Sequence, residues 1–294
     1  MSTASRSDSV RGRGRETGGR DEGYFRGKVC VITGAGSGIG RALAENLARR
    51  GAELALSDID TDGLAETVQR CERLGAQVKS DRLDVAERES VLLYAEAVKE
   101  HFGVVHQVYN NAGIAHHGEV VKTDFKDIER IMDVDFWGVV NGTKAFLPYL
   151  IESGDGHVVN VSSLFGLIAV PGQSAYNSAK FAVRGFTEAL RQEMIVARHP
   201  VRVTCVHPGG IKTAVARNAT YVEGIDAKNA GAMFDRYLAM HSPEMAAQTI
   251  VDGVRKGRGR ILIGWEAKLL DLFVRVAASG YQRIAANVER RFLP

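Results

Sequence analysis

The stretch KVCVITGAGSGIGRALAENLARR, residues 28–50, carries the clearest evidence for the fold of this chain. An apolar run, KVCVIT (28–33), leads into a glycine-rich turn, TGAGSGIG (33–40), and a helical pattern with Leu43 and Leu47 follows. Glycines permit a tight turn and a close approach of the backbone to a pyrophosphate, which a helix N-terminus then attracts. The order of strand, glycine turn and helix predicts a nucleotide site, with an ordinary glycine-rich loop as the alternative.

The glycines of this turn, Gly34, Gly38 and Gly40, have the spacing GxxxGxG and not the GxGxxG of the general dinucleotide fingerprint. The physical requirement for close backbone approach is similar in both spacings. We therefore expect these glycines, with Ser37 and Ile39 between them, to contact the cofactor.

An acid follows the second apolar run, AELALS, and indicates which dinucleotide binds. Asp58, in LALSDID, lies 18 residues beyond Gly40, close to the spacing of about 20 expected for the acid that binds the adenosine ribose. A carboxylate there accepts from the 2′-hydroxyl and repels a 2′-phosphate, which favours NAD over NADP. Two alternatives stay open: Asp58, like Asp60, precedes a helix and suits a cap or turn, and Arg41 or Arg82 would suit a phosphate.

Beyond these motifs, short β-rich runs alternate with longer helical stretches such as ESVLLYAEAVKEHF. Strands separated by helices imply right-handed crossovers and a mostly parallel sheet covered on both faces. The sequence predicts an α/β fold, a single doubly wound, Rossmann-type, mostly parallel sheet flanked by helices on both faces, over residues 27–264. The runs that predict strands are KVCVIT, AELALS, VHQVYN, HVVNVS, VRVTCV and RILIG.

Two flanking segments differ from this pattern. Residues 1–26 are rich in Ser, Gly and Arg, and six Arg against four acids make a tail of net charge +2, which we predict to be disordered. A basic contact with nucleic acid or lipid is the alternative. Residues 265–294 have apolar residues at helical spacing and predict one amphipathic helix. This helix packs on the core or on a neighbouring subunit, covers the pocket as a lid, or attaches to an anionic membrane.

The composition excludes several classes. A net charge of +3 over 294 residues is too small to indicate nucleic-acid binding. No apolar run suggests a signal peptide or a membrane span, and no His/Cys cluster suggests a metal. Cys30, Cys71 and Cys205 are unclustered, which favours buried thiols in a reducing compartment, so we predict a cytoplasmic location.

The segment SAYNSAKFAV, residues 174–183, places Tyr176 and Lys180 on one face of a predicted helix. A tyrosine has a pKa of about 10 and is a poor base at neutral pH. A neighbouring cation favours the phenolate and lowers that pKa. The pair is therefore a candidate acid/base device, and a chance pair on a helix surface is the alternative.

Taken together, these motifs resemble the short-chain dehydrogenase/reductase family in its single-domain branch, over about residues 27–264. The resemblance implies an oxidoreductase that transfers a hydride between NAD(H) and a secondary alcohol or ketone. The motifs occur in the order of the family: TGAGSGIG (33–40), Asp84 and Val85, NNAG (110–113), SS (162–163), YNSAK (176–180) and HPGGIKT (207–213).

The resemblance implies roles for four catalytic residues. Tyr176 is the general acid/base, and Lys180 lowers its pKa and holds the nicotinamide ribose. Ser163, thirteen residues before the tyrosine, is favoured over Ser162 and stabilises the substrate oxygen. Asp135, in VDFWG, stands where the family has an asparagine that anchors a water near the lysine through its backbone carbonyl. We expect Asp135 to remain a relay position, although a carboxylate there also raises the pKa of the lysine and weakens its effect on the tyrosine.

Further cofactor contacts follow from the same matching. Asp84 and Val85 resemble the pair that brackets the adenine, and the residues after the fourth strand line the cofactor. The last motif resembles the loop that fixes the carboxamide. The residues concerned are Asn111, Ala112 and Gly113, then Pro208, Gly209, Ile211 and Thr213.

The substrate is predicted to be a hydrophobic small molecule. Apolar residues fill the loop LFGLIAVPGQ (164–173) and the segment 212–242, which suggests a steroid-, terpene- or acyl-like alcohol or ketone. These residues are alternatively packing partners. His116 and His117 are predicted to be a surface pair. The resemblance also implies a homodimer or homotetramer that pairs through the helix with Tyr176 and Lys180.

Two rival functions from other classes compete with this interpretation of the sequence. One is a non-catalytic dinucleotide sensor or scaffold on the same fold, which the presence of Ser163, Tyr176 and Lys180 disfavours. The other is a lyase or epimerase that uses the nicotinamide transiently. Such relatives append a substantial C-terminal substrate domain, and the 30 residues after Gly264 are too few for one.

Overall fold

A computed structural model describes residues 23–213, 215, 218–223 and 240–292. Its main sheet has seven strands, all parallel, in the order β3-β2-β1-β4-β6-β7-β9. A separate pair, β5 and β8, joins two short segments. The strands are β1 (Val29–Thr33), β2 (Glu53–Asp58), β3 (Val78–Arg82), β4 (Gln107–Asn110), β5 (His116–His117), β6 (Gly156–Val161), β7 (Val201–Pro208), β8 (Thr220–Tyr221) and β9 (Arg260–Ile263).

Helices connect the strands and cover both faces of the sheet. One face packs against α1, α2 and α7, and the other packs against α3, α5 and α6. The helices are α1 (Gly38–Ala48), α2 (Thr61–Arg73), α3 (Arg88–Phe102), α4 (Phe125–Met132), α5 (Gly138–Glu152), α6 (Ser174–Val196), α7 (Pro243–Arg255), α8 (Trp265–Ala277) and α9 (Tyr281–Phe292). The predicted doubly wound α/β fold is confirmed.

The order of the strands creates a crevice in the middle of the sheet. The chain fills the sheet outward from β1 to β3 and then returns to build β4 on the other side of β1. Neighbouring helices diverge at this reversal, so ligands of such sheets bind at the carboxyl ends of the strands there. The glycine turn, NNAG and SS all follow strands that end at this edge.

β3 is the strand that the apolar runs did not reveal. Its sequence, VKSDR, carries Lys79, Asp81 and Arg82, and Lys79 Nζ lies 2.7 Å from a carboxylate oxygen of Asp81. As an edge strand it pairs on one side only, with β2. An edge strand tolerates charges that a central strand excludes, so apolar content could not identify it.

The folded unit begins before residue 27. Phe25, which the sequence placed in the tail, is 1% exposed and belongs to the core cluster of α1 and β1. Its ring lies 4.7 Å from that of Tyr24 in an edge-to-face arrangement. The rest of the predicted tail, up to residue 22, lies outside the described residues.

The C-terminal extension forms two helices and not the single helix predicted from its apolar spacing. α8 ends where Ala278 adopts φ +46° and ψ −126°, a backbone conformation that cannot continue a helix, and α9 starts at Tyr281 after a short 3-10 turn. The extension packs on the core through Ala267 and Tyr281, both of which are buried. Among the described residues, no helix is long and apolar enough to cross a membrane.

The burial of Phe25 yields a stability prediction. Phe25→Ala should lower the free energy of unfolding by about 3–5 kcal/mol, because it leaves a cavity in the core. Urea denaturation measures this change. Phe125→Ala is the matched control, since Phe125 is 84% exposed, and should change stability by no more than about 0.5 kcal/mol. Equal effects of the two substitutions would show that Phe25 does not belong to the core.

Candidate active site

The glycine turn brings the ends of β1 and β4 into close contact. Gly34 has φ +66°, and a Cβ placed there would lie 2.7 Å from the Cα of Ala112. A Cβ at Gly40 would lie 2.0 Å from the carbonyl oxygen of Gly34. Both distances are below any normal contact, so only glycine allows this packing at the two positions.

Hydrogen bonds then lock NNAG onto the first strand. The Thr33 hydroxyl oxygen accepts from the backbone N–H groups of Asn111 and Ala112, both at 3.1 Å. The Asn111 amide donates to the carbonyl oxygen of Thr33 at 3.0 Å. The asparagine therefore has a structural role in holding the turn, in addition to its predicted place beside the cofactor.

The N-terminus of α1 points into the crevice with its polar groups available. Ser37 is the N-cap residue, and its hydroxyl makes no capping hydrogen bond. The side chain of Thr213, from the last motif, lies next to Gly38, since a Cβ added there would be 3.4 Å from its Cβ and Cγ2. The first N–H groups of a helix and its dipole attract an anion, so this end of α1 suits a phosphate.

Asp58 supports the glycine turn from the end of β2. One carboxylate oxygen accepts from the backbone N–H of Gly36 at 2.7 Å, and the other accepts from that of Asp60 at 2.9 Å. Asp60 is the N-cap residue of α2 and accepts from Gly63 N–H. The cap alternative therefore applies to Asp60, whereas Asp58 joins the turn to the second strand.

The cation nearest to the turn, Arg41, is engaged by the protein. Its guanidinium donates to the carbonyl oxygens of Gly36 and Gly63, at 2.5 and 3.1 Å, and to the Thr67 hydroxyl at 3.0 Å. It also lies 2.8 Å from the carboxylate of Glu66. Arg41 thus ties α1 and α2 together and has few donors left for a 2′-phosphate.

Asp84 and Val85 follow β3 at the same edge of the sheet. The Asp84 carboxylate accepts from the backbone N–H of Ala86 at 3.0 Å, which forms a tight turn. Val85 is buried, and its carbonyl oxygen accepts from the side chain of Asn141 on α5 at 3.0 Å. The pair is held in place beside the crevice by contacts within the protein.

The two serines after β6 have different partners. The Ser162 hydroxyl is buried and donates to the carbonyl oxygen of Lys180 at 2.8 Å. The Ser163 hydroxyl accepts from Phe165 N–H at 3.1 Å, and it lowers the pKa of the Tyr176 phenol against the larger, raising effect of burial. This geometry supports Ser163 as the residue that faces a substrate oxygen, and it gives Ser162 a structural role.

Lys180 lies behind the phenol in a buried position. It is 3% exposed, which excludes the chance surface pair as an explanation. Its Nζ lies 5.5 Å from the ring centroid of Tyr176, 3.4 Å from the carbonyl oxygen of Val161 and 3.2 Å from a carboxylate oxygen of Asp135. The lysine therefore stands between a phenol and a carboxylate.

Asp135 reaches this position from a π-helical turn, Asp133–Trp137, between α4 and α5. The side chain is fully buried, and one of its oxygens accepts from Ile114 N–H at 2.8 Å. π turns often mark functional sites, because the extra residue redirects a side chain. The substitution of the family asparagine thus creates a buried ion pair with Lys180.

The pKa shifts differ from the simple expectation at Tyr176. Burial raises the pKa of the Tyr176 phenol, the Lys180 charge lowers it and the Asp135 charge raises it, so that the net direction is upward. Burial lowers the pKa of Lys180, but the charges of Asp135 and Tyr176 together raise it by more. The net direction is upward, so the ammonium stays protonated. Burial raises the pKa of the Asp135 carboxyl against the opposing effect of Lys180. The prediction that Lys180 makes the phenol acidic is therefore only partly right, because burial outweighs the lysine.

The motif HPGGIKT (207–213) connects the predicted cofactor side of the site to the C-terminal extension. After β7 ends at Pro208, Gly209 donates to the carbonyl oxygen of Ile263 at 3.1 Å. Ile211 is buried and bridges to His241. The His241 ring lies 2.9 Å from the carboxylate of Glu266 on α8, so this helix fixes the loop from outside.

The loop after Ser163 is partly a packed wall. Leu167 and Ile168 are buried, whereas Leu164, Phe165 and Val170 are half-buried. Asn177, which sequence reasoning did not single out, donates to the carbonyl oxygens of Phe165 and Ile168 and accepts from Val170 N–H. The wall is therefore held in shape by the helix that carries Tyr176.

Other predicted pocket residues have different outcomes. His116 is 4% exposed and its Nδ1 lies 2.9 Å from the Thr220 hydroxyl, so the prediction of a surface pair is wrong for it. The rings of His117 and Tyr221 lie 6.1 Å apart, beside the same wall. Met233, Phe234 and Tyr237, which the sequence suggested for the pocket, lie outside the described residues.

His207 is a further residue that the motifs did not single out. It is fully buried, and its Nδ1 lies 2.9 Å from the carbonyl oxygen of Ser163. Burial lowers the pKa of the imidazole to about 4, so the ring is neutral and its Nδ1–H donates to that carbonyl. His207 thereby positions the backbone of the serine.

Comparison with known proteins agrees with this fold. The sequence model of the family described as short chain dehydrogenase matches residues 28–223, about two thirds of the chain. The chain belongs to the short chain dehydrogenase family. It is 72% identical to a Mycobacterium tuberculosis (strain H37Rv) protein named "Putative oxidoreductase SadH", over 92% of this chain and 98% of that protein.

Two further proteins are similar to this chain at lower sequence identity. Estradiol 17-beta-dehydrogenase 11 of Mus musculus is 32% identical, over 88% of this chain and 82% of its own. The crystal structure of a short chain dehydrogenase/reductase from Burkholderia phymatum in complex with NAD superposes with a TM-score of 0.81 and 29% identity. That alignment covers 88% of this chain and 96% of the Burkholderia chain.

The buried His207 predicts a pH dependence of stability. Its pKa is about 6.5 when unfolded and about 4 when folded, so the unfolded state binds the proton first on acidification. The wild-type protein should lose up to about 3 kcal/mol through this group as the pH falls from about 6.5 to 4. His207→Asn keeps a donor near the Ser163 carbonyl and should lose less stability over that range in urea titrations.

The measured quantity is the slope of the free energy of unfolding against pH. A packing defect in the variant changes that free energy equally at every pH and leaves the slope unaffected. His199→Asn, at an exposed position, should keep the wild-type slope. Parallel curves for wild type and His207→Asn would contradict the inference that the native ring stays neutral.

Proposed function

We propose that this protein is an oxidoreductase that interconverts a secondary alcohol and its ketone with NAD(H), and that the substrate is apolar. The observation that carries this proposal is the buried Lys180 ammonium 5.5 Å from the Tyr176 ring, together with Ser163, whose hydroxyl acts on the pKa of that phenol, at the carboxyl edge of the sheet. A phenol and a hydroxyl that converge on one point suit an alcohol or carbonyl oxygen.

The crevice fits NAD on the evidence of its own residues. The close packing at Gly34 and Gly40 leaves a turn without side chains over the N-terminus of α1, where a pyrophosphate would lie. The resemblance assigns the adenosine ribose to the Asp58 carboxylate, which lies beside the glycine turn, and Arg41 is engaged elsewhere, which supports NAD over NADP. The Burkholderia relative was crystallised with NAD. When bound, NAD accepts or supplies the hydride of the reaction.

The protein's own side chains manage the proton. Tyr176 takes the proton of the alcohol hydroxyl in oxidation and returns it to the carbonyl oxygen in reduction. Ser163 donates a hydrogen bond to the same oxygen and stabilises the charge that develops on it. Lys180 remains protonated and offsets part of the rise that burial causes in the pKa of Tyr176. The phenolate therefore forms at a lower pH than it would without the lysine.

We assign Asp135 to the tuning of this pair. Its carboxylate holds Lys180 protonated and at the same time raises the pKa of Tyr176. An asparagine would fill the same space without the charge. Asp135 is therefore a positioning and tuning residue next to Lys180, in keeping with the expected relay position.

The apolar substrate is supported by the wall around the site. Phe165 packs edge-to-face on Tyr176, with ring centroids 6.2 Å apart, and Leu164 and Val170 are half-buried next to it. Such side chains favour an apolar ligand with one reacting oxygen. The name of the mouse relative, an estradiol dehydrogenase, agrees with a steroid-like ligand.

Assembly and location complete the proposal. α6 exposes Phe181, Ile195 and Val196, which suits the predicted homodimer or homotetramer that pairs through this helix. Cys30, Cys71 and Cys205 are free and buried, in keeping with the predicted cytoplasmic location.

The function is tested by following the absorbance of reduced nicotinamide while secondary alcohols of graded apolar size are offered with NAD or NADP. We expect turnover that improves with apolar size and with NAD. Tyr176→Phe should lower kcat/KM by about a hundredfold or more, because the proton acceptor is lost.

Tyr149→Phe is the matched control, since Tyr149 also lies near a lysine, with Lys99 Nζ 5.9 Å from its ring, but outside the crevice. It should keep wild-type activity. Binding of NAD by fluorescence titration without turnover of any alcohol or ketone would instead establish the sensor or scaffold alternative.

Asp135→Asn should change the pH dependence of alcohol oxidation. Removing the carboxylate removes one cause that raises the pKa of Tyr176, so the acidic limb of kcat/KM should move to lower pH by about one unit. Asp133→Asn removes an exposed acid from the same π-helical turn and should leave the profile unchanged. An unaltered rate and pH profile in Asp135→Asn would exclude a special role of its side chain.

A further inference from the structure

Helix α8 presents apolar residues on the side that faces away from the protein. Trp265, Leu269, Leu272 and Val276 recur at i, i+4, i+7 and i+11, and they are between 57% and 79% exposed. The opposite side of the helix packs inward through Ala267, which is fully buried. A surface helix normally exposes polar residues there, so this stripe is suited to a contact.

Two further exposed apolar residues lie on α8 and on the helix that follows it, α9. Phe273 at the edge of the stripe is 38% exposed, and Ile284 on α9 is 52% exposed. We call the set formed by Trp265, Leu269, Leu272, Phe273, Val276 and Ile284 the outer face.

The charges around the outer face are unequally distributed. The two acids of α8 are paired: Glu266 lies 2.9 Å from the His241 ring, and Asp271 lies 3.1 Å from Arg275 and 3.7 Å from Arg260. Lys268 and Arg283 are exposed, and neither has a carboxylate partner within the described part of the chain. The outer face is therefore an apolar stripe with a basic border.

We propose that the outer face binds the surface of an anionic lipid bilayer, with the helix axes parallel to the membrane plane. An apolar stripe enters the boundary between headgroups and acyl chains, while Lys and Arg at its border contact anionic headgroups. Trp265 at the end of the stripe suits that boundary, where an indole ring is partly apolar and partly hydrated. The attachment is peripheral, because neither helix is long enough to span.

A second copy of the chain is the other occupant to consider. In a two-fold interface the same patch meets itself. Lys268 and Arg283 of one copy would then approach those of the other across an apolar contact, and like charges facing each other oppose association. Anionic headgroups neutralise the same cations, so the charge distribution favours the membrane.

The proposed contact lies next to the elements that surround the site. Glu266, on the first turn of α8, holds His241 and with it the loop after Pro208. The Tyr281 hydroxyl, at the start of α9, accepts from Ala169 N–H at 3.2 Å in the wall after Ser163. The two helices that carry the outer face therefore brace both sides of the proposed substrate site, so an apolar substrate dissolved in the bilayer would have a short path to it.

Vesicle flotation of the full chain tests this proposal. We expect the wild-type protein to float with vesicles of phosphatidylcholine and phosphatidylglycerol, and to stay unbound with phosphatidylcholine alone. Val276→Glu and Leu272→Glu should each lower the partition coefficient about tenfold, since each replaces an inserted apolar side chain by an acid. Val121→Glu is the matched control, because Val121 is 87% exposed and far from α8 in sequence, and it should float like wild type.

Oxidation of a water-soluble alcohol shows whether each variant is folded and active, which separates a failure of this proposal from a failure of the proposed function. Light scattering after gel filtration gives the oligomeric mass in parallel. Absence of flotation, or flotation that the α8 variants do not weaken, would overturn the proposal. A mass that falls in Val276→Glu without any lipid binding would show that the outer face joins two copies instead.

Discussion

The burial of the Lys180 ammonium is the constraint on which the rest of the site depends. A cation that is 3% exposed must be paired, and its partners come from three places: the Asp135 carboxylate, the carbonyl oxygen at the end of β6 and the Tyr176 ring. Asp135 reaches it only because a π-helical turn directs the side chain inward. Gly113 leaves room for both groups, since a Cβ there would lie 3.3 Å from each of them. The ion pair thus determines the local backbone of the fourth strand's loop and of the helix that faces it.

The electrostatics of the phenol follow from this constraint. Burial raises the pKa of the Tyr176 phenol because it disfavours the charged form, and Lys180 provides the compensating charge. Asp135 works against that compensation, because a negative charge next to the lysine also acts on the phenol. With asparagine at this position, the Lys180 charge would lower the pKa of the phenol without an opposing carboxylate. The carboxylate therefore holds the lysine firmly protonated while it makes the phenol harder to ionise.

The fold could be predicted from the sequence because apolar strands and helical stretches alternate regularly. The candidate site could be proposed because its motifs follow the ends of successive strands, and the structure brings these strand ends to one edge of the sheet. The misses have physical causes. β3 is a charged edge strand, and Phe25 is a single apolar residue at the end of a polar tail. The break after Ala277 coincides with the turn signal Ser279-Gly280, which the helical spacing of the apolar residues on both sides concealed. His207 acts through the backbone of Ser163, and such a contact between distant segments leaves no pattern in a sequence.

In the C-terminal extension, the spacing of apolar residues predicts a helix but does not show which of those residues face the core. The spacing of its apolar residues predicted an amphipathic helix, but an apolar residue on a helix can face the core or the solvent, and the sequence alone does not distinguish them. The structure places small Ala267 inward and the large Leu269 and Val276 outward. The inner side of α8 carries the buried Ala267 and the polar contact of Glu266 with His241. The large residues are consequently left for an external contact, on the same helices that hold the loops of the active site.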